Sequence, residues 1–156
     1  MHGGKGEMKK ENVLSILLKM AAIGAGGIFV LAATYMGYFA IYMFVETVFF
    51  SDNIGNTPAE AIRISYSLFL LLMYFALLRT EAPELLKAIL IVAPLTMLMV
   101  AAILGLYLKP LLSILAASAI VGIFIFLIRR SRKPWIYYFA IAISILFSMA
   151  YAWPRE

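Results

Sequence analysis

Five long apolar runs dominate this sequence, and they constrain the fold more than any other feature. The first covers 20–50, is free of charge from Met20 to Val45 and stays apolar to Phe50 apart from Glu46. The second covers 58–78 and carries Arg63 near its start. The third covers 83–108 and is uncharged from Ala88 to Leu108, and the fourth and fifth cover 110–128 and 134–153. About 20 apolar residues in a helix cross the roughly 30 Å hydrocarbon core of a bilayer. The runs are continuous rather than alternating, which excludes a membrane β-barrel. The expected fold is therefore all-α, a polytopic integral membrane bundle of five transmembrane helices.

Composition excludes the alternatives. The chain is 65% hydrophobic and 13% charged, against about 45–50% and about 25% for a soluble domain. A water-soluble globule of 156 residues has too much surface to cover with so few charges. Cysteine is absent, which removes disulfides and thiolate metal sites. The net charge of +5 sits in short clusters between the apolar runs, so it marks membrane faces rather than a nucleic-acid footprint.

The boundaries carry helix-start chemistry. Thr57-Pro58 followed by Glu60 reads as a cap, a first-turn proline and a first-turn acid, and Pro83-Glu84 repeats the pattern. Pro110 and Pro134 fall where new helices should begin, and Pro94 predicts a kink inside the third span. Aromatic residues mark both ends of the fifth span: Trp135, Tyr137 and Tyr138 at its start, Tyr151 and Trp153 at its end.

Five crossings place Lys5, Lys9, Lys10, Lys19, Arg79, Lys87, Arg129, Arg130, Arg132 and Lys133 on the N-terminal side. Only Arg63, Lys109 and Arg155 fall on the other. The positive-inside rule then sets the N-terminus in the cytoplasm and the C-terminus outside. The long first run could instead fold back at Gly24-Ala25-Gly26-Gly27 as two spans. That would move four lysines across the membrane and erase the charge bias. One crossing is favoured, with residues 1–19 as a cytoplasmic or interfacial segment and a bend at the glycines. A signal peptide cleaved after Leu31-Ala32-Ala33 is the competing reading, but the apolar run continues well past that point, which favours an uncleaved span.

Candidate chemistry is sparse. The histidine, His2, lies in a Gly-rich N-terminus, and no HExxH, GxGD, GxSxG or P-loop pattern occurs. No cofactor, metal or nucleic acid is expected, and the chain is not expected to be an enzyme. Tyr35, Tyr38, Tyr42 and Glu46 follow at spacings of three, four and four, which puts them on one helical stripe. Intramembrane acids are costly and face protein or a cavity. Glu46 and Arg63 lie almost symmetrically about the loop 51–56, so they are expected to pair at one depth, as a structural ion pair or as the mouth of a polar passage. Tyr74 and Thr96 are further candidate partners for the tyrosines.

Ala140, Ser144, Ser148 and Ala152 recur every four residues in the fifth span. Such a seam admits another backbone at close range, either from the same chain or from a second subunit. These features support three functions in descending order. The first is a non-catalytic subunit of a homo-oligomer or larger complex in the cell membrane, in contact with lipids and other subunits. The second is a transporter or channel using the stripe from Tyr35 to Glu46. The third is a lipid-modifying enzyme using Arg79, Glu81, Glu84 and the basic run 129–133.

Overall fold

A computed structural model of the chain describes residues 13–50 and 58–152. The expected cap at Thr57, the loop 51–56, Trp153, Arg155, His2 and the lysines Lys5, Lys9 and Lys10 lie outside the described residues. Six helices follow in order: α1 Val13–Phe49, α2 Ala59–Leu78, α3 Glu84–Leu90, α4 Val92–Gly105, α5 Pro110–Arg130 and α6 Ile136–Ala152. No strand occurs among the described residues, and the architecture is a helical membrane bundle.

The prolines set the boundaries as the chemistry requires. Pro58 and Pro83 immediately precede α2 and α3, with Glu60 and Glu84 in the first turns. Pro110 opens α5, where a missing N–H costs nothing. Helices α3 and α4 form one span, Glu84–Gly105, interrupted only at Ile91. Pro94 is the cause, because it has no N–H to give the Leu90 carbonyl and its ring crowds that carbonyl. Flanking bonds from Ile91 N to Lys87 O (3.1 Å) and Leu95 N to Ile91 O (3.2 Å) carry the chain through the break.

Among the described residues, four spans are long and apolar enough to cross a bilayer: α1, α2, α3–α4 and α5. Helix α6 has 17 residues, about 25 Å at 1.5 Å per residue, at the short end of the spanning range. The α3–α4 span occupies the centre and touches α1, α2, α5 and α6. Its side chains from Ile91 to Met97 are buried continuously, and Ile91, Val92, Leu95 and Met97 are almost fully excluded from the surface.

Side-chain pairings give the directions. Tyr137 meets Glu84, and Ser148 meets Thr96, so α6 runs parallel to α3–α4. Gly26 lies against Ile89 and Tyr35 against Tyr151, which makes α1 parallel to both. Helices α2 and α5 return in the opposite sense through short links, so Val13 and Ala152 stand at opposite ends of the bundle. The end holding Glu84 also carries Lys19, Arg79, Lys87, Arg129, Arg130, Arg132 and Lys133, and is here called the basic end.

Helix α1 runs unbroken through its glycines as one helix, so the chain does not fold back there into two spans. Tertiary packing explains why those residues are small. A Cβ on Gly26 would sit 2.9 Å from Ile89 Cγ2, and one on Gly27 would sit 3.5 Å from Val92. The glycines let α3–α4 approach the α1 backbone. Gly26→Leu should therefore lower stability by about 1–3 kcal/mol through overpacking. Gly24 faces open space, so Gly24→Leu should be neutral or slightly stabilising. Thermal unfolding of both variants in one detergent checks the contrast.

The seam on α6 is enclosed within the same chain at Ala140, Ser144 and Ser148, while Ala152 stays partly exposed. Ala140, Ser144 and Ser148 are each 0% exposed, packed where α6 meets α4. Ser144 Oγ donates to Ala140 O at 2.9 Å and Ser148 Oγ to Ser144 O at 2.7 Å, which satisfies both hydroxyls inside the apolar contact.

Candidate functional site

The tyrosine stripe joins three helices. Tyr35 packs its ring on Tyr151 of α6, with centroids 5.1 Å apart. Tyr38 lies between Tyr42 at 6.4 Å and Tyr66 of α2 at 5.9 Å. Tyr66 in turn donates its hydroxyl to the Thr34 carbonyl at 3.0 Å. Gly37 makes that bond possible, since a Cβ there would lie 2.8 Å from the Tyr66 oxygen. Among the described residues, two buried hydroxyls have no hydrogen-bond partner: Tyr35 OH and Thr96 Oγ1. Buried polar atoms without partners are few in folded proteins and mark sites worth testing. Tyr74, the other expected partner of the stripe, is buried near the basic end beside Glu84 and Tyr137 rather than near Tyr35.

Glu46 and Arg63 do not form an ion pair among the described residues, and the hairpin register explains it. Tyr66 faces Thr34, Gly37 and Tyr38, so opposed positions on α1 and α2 sum to 100–104. Glu46 and Arg63 sum to 109. They are offset by five to nine residues, about 7–14 Å along a helix axis. The symmetric reading places the hairpin midpoint in the loop. In the structure α1 continues helical to Phe49, and α2 starts at a lower level.

A second polar cluster, which the sequence reading did not single out as a unit, sits at the basic end. Lys133 Nζ donates to Glu84 Oε1 at 2.9 Å and Oε2 at 3.0 Å. Tyr137 OH donates to Glu84 Oε2 at 2.5 Å. Lys87 Nζ lies 3.7 Å from Glu84 Oε1 and donates to the Thr80 carbonyl at 2.8 Å. The Lys133 ammonium also stands 5.6 Å from the centre of the Tyr137 ring. One carboxylate thus ties the α2–α3 link, α3, the α5–α6 link and α6 together. The i,i+3 spacing of Glu84 and Lys87 was visible in the sequence. The contacts across 49 and 53 residues were not.

Chemically, this cluster is a clamp. Each Glu84 oxygen already accepts from an ammonium or a phenol, which leaves the carboxylate poorly placed to take a substrate proton. Among the described residues, no group of three or more His, Asp or Glu side chains could hold a metal. Arg79, Arg129, Arg130 and Arg132 are exposed and have no ion-pair partner among the described residues.

The helices and the two polar clusters define a small multi-pass membrane protein. Comparison with protein-family models, curated proteins and solved structures finds no match.

Proposed function

We propose that this chain is a non-catalytic subunit of a homo-oligomer or larger complex in the cell membrane, with its basic end in the cytoplasm. The observation that carries the reading is the length of α1. Its 37 residues make about 55 Å of helix. A helix tilted by about 40° needs only about 26 residues to cross the hydrocarbon core. Helix α1 overshoots that length, and its ends are apolar and bare. Val13, Leu14, Leu17 and Leu18 are exposed at one end, and Phe44, Val48 and Phe49 at the other. Polar headgroups are a poor solvent for those side chains, and a neighbouring protein surface covers them better. The α6 seam is filled by α4, so the contact with a partner runs through α1 instead.

The test is site-specific photocrosslinking from Leu17, Phe44 and the α5 residue Leu115 in native membranes. Protein adducts at Leu17 and Phe44, with lipid adducts at Leu115, are the expected result. Lipid adducts at all three positions, with a monomeric mass in nanodiscs, would refute the subunit reading.

The orphaned Tyr35 and Thr96 hydroxyls favour one second reading, a passage for a small solute or ion bordered by Tyr35, Tyr38, Tyr42, Glu46 and Arg63. Against it, α3–α4 fills the centre of the bundle, so a passage would have to lie between chains. Ion flux in liposomes that Glu46→Gln abolishes without loss of folding would establish this reading over the first.

A further inference from the structure

We propose that the groove between α2 and α5 at the basic end holds one anionic phospholipid, with an acyl chain along the groove and the phosphate on the α5–α6 turn. The groove is complete within a single chain and does not depend on the subunit reading. Helices α2 and α5 both pack on α4, and no Cα of one comes within 8 Å of a Cα of the other. Between them lies an apolar cleft walled by Tyr74 and Leu78 of α2 and by Phe124 and Ile128 of α5. Its floor is Ile91, at the break that Pro94 imposes on the central span. Ser131 and Lys133 stand at its mouth.

Charge selects the occupant. Lys133 is already engaged by Glu84. The neighbouring Arg129, Arg130 and Arg132 are exposed, without an ion-pair partner among the described residues, and Arg79 directly follows the groove residue Leu78. An apolar cleft lined at one end by Ser131 and Lys133, with the exposed Arg132 between them in sequence, matches an acyl chain below an anionic headgroup. A zwitterionic lipid would fill the cleft equally well but leave the arginines unneutralised.

The backbone of the turn strengthens the argument. Helix α5 ends in a Schellman motif: Lys133 N bonds Ile128 O at 3.1 Å, and Arg132 N bonds Arg129 O at 3.2 Å. The residue after the cap in this motif adopts left-handed φ and is usually glycine. Here it is Arg132, with φ 49°, the single non-glycine residue of positive φ among the described residues. An L side chain is disfavoured there. A cationic side chain thus occupies a position that favours glycine, between the groove residues Ser131 and Lys133.

The experiment is lipid competition on the full chain, purified, delipidated and examined by native mass spectrometry. The probes are dioleoyl phosphatidylglycerol, dioleoyl phosphatidylcholine and glycerol phosphate. The wild type should retain one phosphatidylglycerol in preference to phosphatidylcholine, and millimolar glycerol phosphate should not displace it. Arg132→Gly relieves the backbone, so it should fold at least as well as the wild type while losing about fivefold of that preference. Arg132→Asn, which also accepts left-handed φ, should behave alike. Phe124→Trp should fill the cleft and lower retention of both lipids. Equal retention of the two lipids, an unchanged preference in both Arg132 variants, or displacement by glycerol phosphate would each overturn the proposal.

Discussion

Ser144→Leu should detach α6 from the centre of the bundle and cost about 3 kcal/mol or more. Ser144 is 0% exposed at the contact with α4, and Ala140 and Ser148 on either side are equally enclosed. A leucine there adds volume to a position with no exposed surface, so either the helices separate or the site repacks under strain. Ser144→Ala loses only an i−4 bond to Ala140 O, and its cost should stay below about 1 kcal/mol. Unfolding in mixed micelles, with Trp135 fluorescence as the probe, reads both variants. The same pair separates two uses of the seam. A seam that joins α6 to α4 predicts a destabilised monomer for Ser144→Leu. A seam that joins two subunits predicts a dissociated but folded chain, and that outcome would contradict the packing described here.

The next largest effect is expected at the clamp. Glu84→Ala removes the acceptor shared by Lys133 and Tyr137. Tyr137 is 1% exposed, so its hydroxyl loses its partner in an otherwise enclosed site, at a cost of about 1–3 kcal/mol. The Glu84 side chain is itself 43% exposed, which lets water soften the loss at Lys133 and keeps the total below that of a fully buried pair. Tyr137→Phe removes donor and need together and should cost less than about 1 kcal/mol. Lys133→Met with Glu84→Gln should cost less than the sum of the two single changes, because each single change strands a partner. Strict additivity would mean that the clamp does not couple α3 to α6.

The clamp and the hairpin show how unevenly function was legible in the sequence. The stripe from Tyr35 to Glu46 follows from helical periodicity, and the structure divides its rings between two partners, Tyr35 against Tyr151 and Tyr38 against Tyr66. Periodicity could not supply the α1–α2 register, because that depends on where each helix stops. Helix α1 runs on to Phe49, and the offset takes Glu46 away from Arg63. The glycines at 24–27 were ambiguous for a related reason. Glycine permits a bend and also permits close approach, and only the position of Ile89 over Gly26 reveals the close approach. The basic run 129–133 read as a topology anchor, and nothing local showed that Lys133 turns inward to Glu84 while Arg132 occupies a left-handed turn.

Solvent preference was decided by the sequence alone: uninterrupted apolar runs demand helices in lipid, prolines and acids mark where they start, and lysines and arginines collect at one end. These are additive, local properties of side chains and backbone donors. The tertiary structure alone decided which helix lies at the centre, which small residues meet within the chain, and which charges pair. Those outcomes depend on contacts between residues tens of positions apart. In lipid such contacts are chosen by packing shape and hydrogen-bond satisfaction, because every apolar face is about equally content with its surroundings.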